Sequence, residues 1–130
     1  MNGKARERLM SVRSQAVLVA RLRERVIREK QSTLRSIRLD GMPRSRGQAS
    51  GLDAGMIRRE EMERLLEREE AQLHLMEKRA RQAMEGMKPE MYAFCALYYM
   101  AGMSLTDVSA AIDRSERQCE RYRREIERLQ

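Results

Sequence analysis

Apolar residues recur every three or four positions along most of this chain, the spacing that places them on one face of an α-helix. The first such stretch runs over residues 4–39 and contains neither Gly nor Pro. Two charged residues, Arg23 and Lys30, interrupt its apolar face. The spacing predicts one long helix, whose apolar positions are Leu9, Val12, Ala16, Val19, Val26 and Ile37.

A second long helix is predicted over residues 56–87, where apolar residues alternate at intervals of four and three. This heptad pattern, interrupted at Glu69, is typical of coiled-coil packing. Its members are Met62, Leu66, Leu73, Met76, Ala80, Ala83 and Met87. Two arrangements fit the pattern: an antiparallel helical hairpin within the chain, which is the simpler one, or a coiled coil between chains.

Residues 40–55 separate the two long helices and contain four Gly and one Pro, a composition that predicts a loop. Arg44 and Arg46 are expected to be exposed in this loop. Two interpretations are open: the two arginines contact phosphate, or the loop is a solvated hinge.

After the second helix, Gly86 and Pro89 predict the start of a third helix over residues 90–101. Its apolar side chains are expected to form the C-terminal core with those that follow, burying Phe94, Leu97, Val108 and Ile112 together.

Two shorter amphipathic helices are predicted between Gly102 and Leu129. Ser104 is a suitable N-cap for the first of them, and Ser115 with Gln118 forms an S-x-x-Q capping box for the second. Helix, short turn and capped helix are the parts of a helix-turn-helix unit, whose second helix commonly enters the DNA major groove. The alternative is a structural helix pair, which occurs in many small α-domains.

The residue content of the last helix favours DNA binding, because Arg and Gln side chains read guanine and adenine edges by bidentate hydrogen bonds. The candidate DNA-binding residues of this helix are Ser115, Arg117, Gln118, Arg121 and Arg124.

Residues 89–129 resemble the fourth region of bacterial sigma factors and, more closely, the ArpU/RinA-like phage transcriptional regulators. The matching positions are Tyr99, Gly102, Ser104 and Ser115. The segment DGMPRSRGQASG over residues 40–51 resembles a Gly-Met-Pro-Arg segment of the same small phage proteins. Ser109 and Asp113 depart from the family pattern, which has Ala, and Gly or Asn, at these positions. The resemblance implies a region-4-like helix-turn-helix domain that regulates transcription, and domains of this kind also dock on protein surfaces.

Positive charge is concentrated in the N-terminal part of the chain. Residues 1–50 contain 13 Lys or Arg and 4 Asp or Glu, whereas residues 51–88 and 89–130 each have a net charge of −1. Because Lys and Arg supply most of the attraction to phosphate, the first helix and the loop are expected to contribute phosphate contacts. The expected contributors are Arg21, Arg25, Arg28, Arg44 and Arg46. A homodimer, which we expect, would offer two of each part.

No enzyme motif is visible, and we expect neither a cofactor nor a metal. Cys95 and Cys119 fall on apolar faces without a partner at metal-ligand spacing, and His74 is isolated in a charged helix. No signal peptide or membrane span is expected, so the predicted location is cytoplasmic.

The sequence therefore predicts an all-α protein with a basic, coiled-coil-like helical hairpin over residues 1–88 and a three-helix, helix-turn-helix domain over residues 89–130. The predicted function is a phage-type transcriptional regulator that binds double-stranded DNA. The alternative is a non-enzymatic phage protein that binds a host protein, such as RNA polymerase or a defence nuclease, through its basic hairpin.

Overall fold

In the computed structural model, the backbone is described for residues 2–39 and 49–129, and the side chains for residues 4–32 and 54–129. Every regular element in these ranges is a helix, so the predicted all-α class is confirmed. A π-helical turn, Ala96–Met100, directly continues the third helix. The helices are α1 (Asn2–Leu39), α2 (Ala49–Met84), α3 (Pro89–Cys95), α4 (Leu105–Ile112) and α5 (Glu116–Glu127).

The start of α2 differs from the prediction, because the helix begins at Ala49 and not at Met56. Residues 49–55, which were expected to belong to the loop, are therefore helical. Each of the two Gly residues in this first part costs about 1 kcal/mol relative to Ala, and no Pro blocks the helix there. Arg44 and Arg46 lie outside the described residues. None of the described helices combines the length and apolar character of a membrane span.

The chain divides into two compact units, one formed by Met1–Leu18 with Ala71–Gln130 and the other by Val19–Glu70. Each long helix therefore contributes to both units. The predicted domain boundary at residue 88 follows a different criterion, the change of sequence pattern, and it stays a prediction.

In the unit Val19–Glu70, α1 buries Val19, Leu22 and Val26. Arg23, which was expected to interrupt the apolar face of α1, is exposed beside that face, and Leu22 occupies the buried position in its place. Two ion pairs join the long helices here. Arg23 Nε lies 3.1 Å from Glu70 Oε1, and Lys30 Nζ lies 3.5 Å from Glu63 Oε1.

The larger core lies in the other unit, where all five helices and the π-helical turn contribute buried side chains. Phe94 and Val108 are fully buried as predicted, but Leu97 and Ile112 are half-exposed. Tyr99 lies five residues after Phe94, the hydrogen-bond spacing of a π-helix, and both are buried, whereas Leu97 within the same turn is half-exposed. The buried residues of this core are Leu9, Val12, Ala16, Leu73, Ala80, Met84, Phe94, Cys95, Tyr99, Val108, Cys119, Tyr122 and Ile126.

Phe94 is the centre of an aromatic cluster that connects three elements. Its ring centroid lies 5.3 Å from that of Tyr98 and 6.2 Å from that of Tyr99, both in the π-helical turn. The ring of Tyr122 in α5 lies 5.5 Å away. The cluster therefore fixes the inner face of α5 against the third helix and its continuation.

Arg13 of α1 holds the end of the π-helical turn. Its Nη1 donates hydrogen bonds to the carbonyl oxygens of Tyr98 and Met103, the latter at 3.0 Å, and its guanidinium carbon lies 3.8 Å from the Tyr98 ring centroid. Gly102 follows with φ of 71°, and a Cβ at this position would lie 3.4 Å from the Cβ of Ala16. Gly102 thus ends the helix, as predicted, and also permits the close approach to α1.

Truncation of Phe94 should unfold the core, whereas truncation of an exposed aromatic on the same helix should not. Phe94→Ala removes a side chain with no exposed surface, and such changes typically cost about 3–5 kcal/mol of unfolding free energy. Tyr92→Ala is the matched control, since Tyr92 is 41% exposed. Thermal unfolding followed by circular dichroism should show a large fall in Tm for Phe94→Ala alone. Equal melting temperatures for the two variants would contradict the packing described.

Replacement of Arg13 by Lys should destabilise the protein although the charge is kept. A single ammonium group cannot reproduce the planar guanidinium that bonds two carbonyls and stacks on an aromatic ring. Loss of charge-assisted hydrogen bonds of this kind costs about 1.5–3 kcal/mol. Arg6→Lys, at an exposed position of the same helix, is the control. Chemical denaturation should separate the two variants, and coincident unfolding curves would show that Arg13 does not hold the turn.

Candidate nucleic-acid interface

Both short helices begin with the side-chain caps predicted from the sequence. Ser104 Oγ accepts a hydrogen bond from the Asp107 amide at 3.2 Å, and Ser115 Oγ accepts one from the Gln118 amide at 3.1 Å. Each cap satisfies a backbone donor that the helix itself leaves free, so the first residues of α4 and α5 are fixed locally.

The connection between α4 and α5 is a tight turn at Asp113. This residue has φ of 55° and ψ of 47°, the left-handed conformation that short polar side chains tolerate. The amides of Asp113 and Arg114 both donate to the carbonyl oxygen of Ser109, the latter at 3.1 Å. The departure of Asp113 from the Gly or Asn of the family pattern is therefore compatible with the turn.

Glu90, in the first turn of α3, connects this turn to α5. One carboxylate oxygen accepts a hydrogen bond from Arg114, and the other accepts one from the Tyr122 hydroxyl at 3.0 Å. The bond from Arg114, followed by that from Tyr122, lowers the pKa of the Glu90 carboxyl group. Glu90 therefore helps to fix both the start and the inner face of α5, a role that its exposed position in the sequence pattern did not indicate.

The helix α5 has two opposite faces. Cys119, Tyr122 and Ile126 face the core and are buried. The other face presents four exposed arginines, which we call the arginine stripe, at intervals of four, three and four residues. Within the described part of the chain, none of the four has an ion-pair partner. The arginine stripe consists of Arg117, Arg121, Arg124 and Arg128.

Two of the acidic residues of α5, Glu120 and Glu127, form ion pairs with Arg123. The Nη2 atom of Arg123 lies 2.6 Å from Glu120 Oε1, and its Nε atom lies 3.8 Å from Glu127 Oε1. A hydrogen bond with the Tyr98 side chain, the largest cause, and the two carboxylates raise the pKa of the Arg123 guanidinium. The half-buried Arg123 therefore forms a close ion pair with Glu120 and a longer one with Glu127.

A shallow groove runs along the N-terminal half of the arginine stripe. Its walls are mainly charged side chains of α5, and one residue of α4 completes it. The lining residues are Leu105, Glu116, Arg117, Glu120, Arg121 and Arg124. An open, charged groove of this kind suits contact with a polar macromolecule better than enclosure of an apolar small molecule.

The predicted site residues of α5 separate into three groups. Arg117, Arg121 and Arg124 lie together on the exposed face. Ser115 is exposed, and its hydroxyl oxygen is engaged in the cap. Gln118 is half-buried and does not line the groove. Arg128 was not among the predicted residues, although it continues the same helical spacing.

Arg21, Arg25 and Arg28 belong to the other compact unit, Val19–Glu70. All three side chains are exposed, and their spacing of four and three residues places them on one face of α1. This face is turned away from the buried Val19, Leu22 and Val26, so the three arginines are accessible to a binding partner of the protein.

Cys95 and Cys119 are free thiols, and both are buried. Burial raises the pKa of the Cys95 thiol to about 12 and also raises the pKa of the Cys119 thiol. Both are therefore protonated near neutral pH and are poor nucleophiles. Among the residues that the structure describes, no three or more His, Cys, Asp and Glu side chains are grouped as metal ligands.

Protonation of Glu90 should weaken the attachment of α5. The lowered pKa means that the carboxylate stabilises the folded state above the usual Glu pKa, and that this stability is lost as pH falls through the folded-state pKa. Wild-type Tm should therefore fall more than that of Glu90→Gln between about pH 6 and about pH 3. Glu85→Gln is the control, and its pH profile should follow the wild type. Parallel profiles for wild type and Glu90→Gln would disprove this role.

No protein-family model, curated protein or solved structure matches this chain.

Proposed function

We propose that α4, the turn at Asp113 and α5 form a helix-turn-helix unit, and that the protein is a sequence-specific transcriptional regulator that binds double-stranded DNA. The observation that carries this proposal is the arginine stripe, a row of exposed guanidinium groups along α5 that have no ion-pair partner among the described residues. Membership in the ArpU/RinA-like phage regulators, with their region-4-like domain, is part of the same proposal.

The position of the stripe supports base contacts. In helix-turn-helix proteins, residues near the N-terminus of the second helix contact base edges in the major groove. Arg117 and Arg121 lie in the first two turns after the Ser115 cap, and both are exposed. A helix whose inner face is fixed by the core would present these side chains in a defined orientation, which specific recognition requires.

The local charge of α5 supports phosphate contacts in spite of the net charge of −1 over residues 89–130. Four exposed arginines lie along this face, and the carboxylate of Glu120, which lines the same groove, is paired with Arg123 at 2.6 Å. Each phosphate neutralised by an exposed arginine releases condensed counterions, which is the main source of affinity for DNA.

The N-terminal helices are proposed to form an antiparallel hairpin that adds to this affinity. From Arg23 to Lys30 on α1, the ion-pair partners on α2 run in the opposite direction, from Glu70 to Glu63, as antiparallel helices require. Arg21, Arg25 and Arg28 would then contribute further phosphate contacts. A homodimer would provide two such hairpins and two recognition helices, matching a two-fold symmetric DNA site.

The alternative function is binding of a host protein, such as RNA polymerase or a defence nuclease. An open groove of about 320 Å³ at the start of α3 favours this alternative. The groove is lined by Pro89, Glu90, Ala93, Ile112 and Arg114. Ala93 and Ile112, which are half-exposed, give it an apolar part. Such a groove is suited to an apolar side chain of a partner protein.

Salt-dependent DNA binding tests the proposed function. The full chain should bind duplex DNA at near-physiological salt, and each lost phosphate contact should reduce the slope of log K against log salt by about 0.9. The double variant Arg124→Gln with Arg128→Gln removes two charges from the stripe, so the slope should fall by roughly twice that amount. The double variant Arg6→Gln with Arg81→Gln removes the same charge elsewhere and should leave the slope nearly unchanged.

Two results would count against DNA binding through α5. Equal changes of slope in the two double variants would indicate a general charge effect. Absence of duplex binding by the wild type at near-physiological salt would reject the proposal and leave the protein-binding alternative.

A further inference from the structure

We infer, on the basis of the proposed DNA-binding function, that the DNA site is rich in G·C pairs. In this inference Arg117 and Arg121 each read one guanine, and Glu116 reads a cytosine.

The exposed side chains in the first turns of α5 carry only guanidinium and carboxylate groups. Glu116, Arg117 and Arg121 are exposed and line the groove. Gln118, the one amide side chain nearby, is half-buried and does not line that groove. The side chains of Cys119 and Tyr122 face the core. Base recognition through this face therefore depends on charged groups.

A guanidinium group selects guanine for a simple reason. It carries only hydrogen-bond donors, and guanine presents two acceptors, O6 and N7, on its major-groove edge. Adenine presents an acceptor and a donor there, so a guanidinium satisfies only half of that edge. Bidentate reading of adenine requires the amide of Asn or Gln, which combines a donor with an acceptor.

To bind a base, the guanidinium groups must also have no ion-pair partner on their own helix, and the candidate partner Glu120 is paired with Arg123. Glu120 lies three residues after Arg117 and four before Arg124, the two spacings at which helical ion pairs form. Its carboxylate instead lies 2.6 Å from Arg123 Nη2. Arg117 and Arg124 therefore keep their donors for an external partner.

Glu116 has the complementary chemistry. A carboxylate only accepts hydrogen bonds, and the N4 amino group of cytosine is the donor with which Glu pairs in the major groove. Opposite guanine O6 and N7 the same carboxylate would be repelled. An exposed acid on the face that meets DNA lowers affinity for unrelated sequences, so Glu116 increases the discrimination provided by its two arginine neighbours.

The second half of the stripe has a different role. Arg124 and Arg128 lie progressively further from the N-terminus of α5, which is the end that contacts bases in helix-turn-helix proteins. They are assigned to phosphates, which position the helix but carry no sequence information. Arg128 is therefore a matched control for Arg117 and Arg121: the same residue type, on the same face of the same helix.

Selection of bound duplexes from a random pool by the full chain at near-physiological salt tests the inference. The enriched motif should contain at least two guanines and one cytosine on one strand of a half-site. Changing either guanine to adenine should weaken binding by the wild type about 5- to 150-fold. Arg117→Gln and Arg121→Gln should each convert one preferred guanine to adenine. Arg128→Gln should weaken binding to every duplex and leave the motif unchanged.

The possible failures are distinguishable. An enriched motif made only of A·T pairs, or one that Arg117→Gln and Arg121→Gln leave unchanged, overturns the inference while the proposed DNA-binding function stands. Binding without any preferred sequence overturns the inference and the sequence-specific part of the function. Absence of duplex binding by the wild type overturns both. Because the substituted side chains are exposed, circular dichroism should show that each variant remains folded.

Discussion

The guanidinium of Arg13 fixes the third helical segment to α1, and the placement of α4 and α5 depends on this contact. The π-helical turn ends at Met100, and its last carbonyl groups need donors because the helix does not continue. Arg13 bonds the carbonyl oxygens of Tyr98 and Met103 and covers one face of the Tyr98 ring. Phe94 stacks on that ring and also contacts Tyr122, so contacts continue from α1 to the inner face of α5.

The inner face and the beginning of α5 are therefore held by different contacts. The inner face is held by Tyr122, whose ring meets the aromatic cluster and whose hydroxyl bonds Glu90. The beginning of the helix is held by the Ser115 cap and by the contact between Arg114 and Glu90. With both fixed, the exposed arginines project from a rigid support, as a surface for specific recognition requires.

Local features of the fold could be predicted from the sequence, whereas long-range contacts could not. The extent of α1 and both serine caps depend on neighbouring residues, so their spacing reveals them. The hydrogen bond from Arg13 to the Met103 carbonyl joins residues 90 positions apart, and nothing in the periodicity of α1 distinguishes Arg13 from its exposed neighbours. Leu97 is half-exposed within the π-helical turn, whose sequence also fits an ordinary α-helix. Arg117, Arg121 and Arg124 could be predicted from their residue type and from their position in the helix that follows the Ser115 cap.

The arrangement of charge around the candidate site was hidden for the same reason. A net charge of −1 over residues 89–130 argues against DNA binding only if positive and negative groups are mixed on the surface. The structure adds that two of the carboxylates, those of Glu120 and Glu127, form ion pairs with Arg123 and with no other arginine of the described part of the chain. Partly exposed ion pairs of this kind contribute little to stability. Their effect here is on the pairing of the arginines, because the carboxylates of Glu120 and Glu127 form ion pairs with Arg123 and not with the outward-facing arginines of α5.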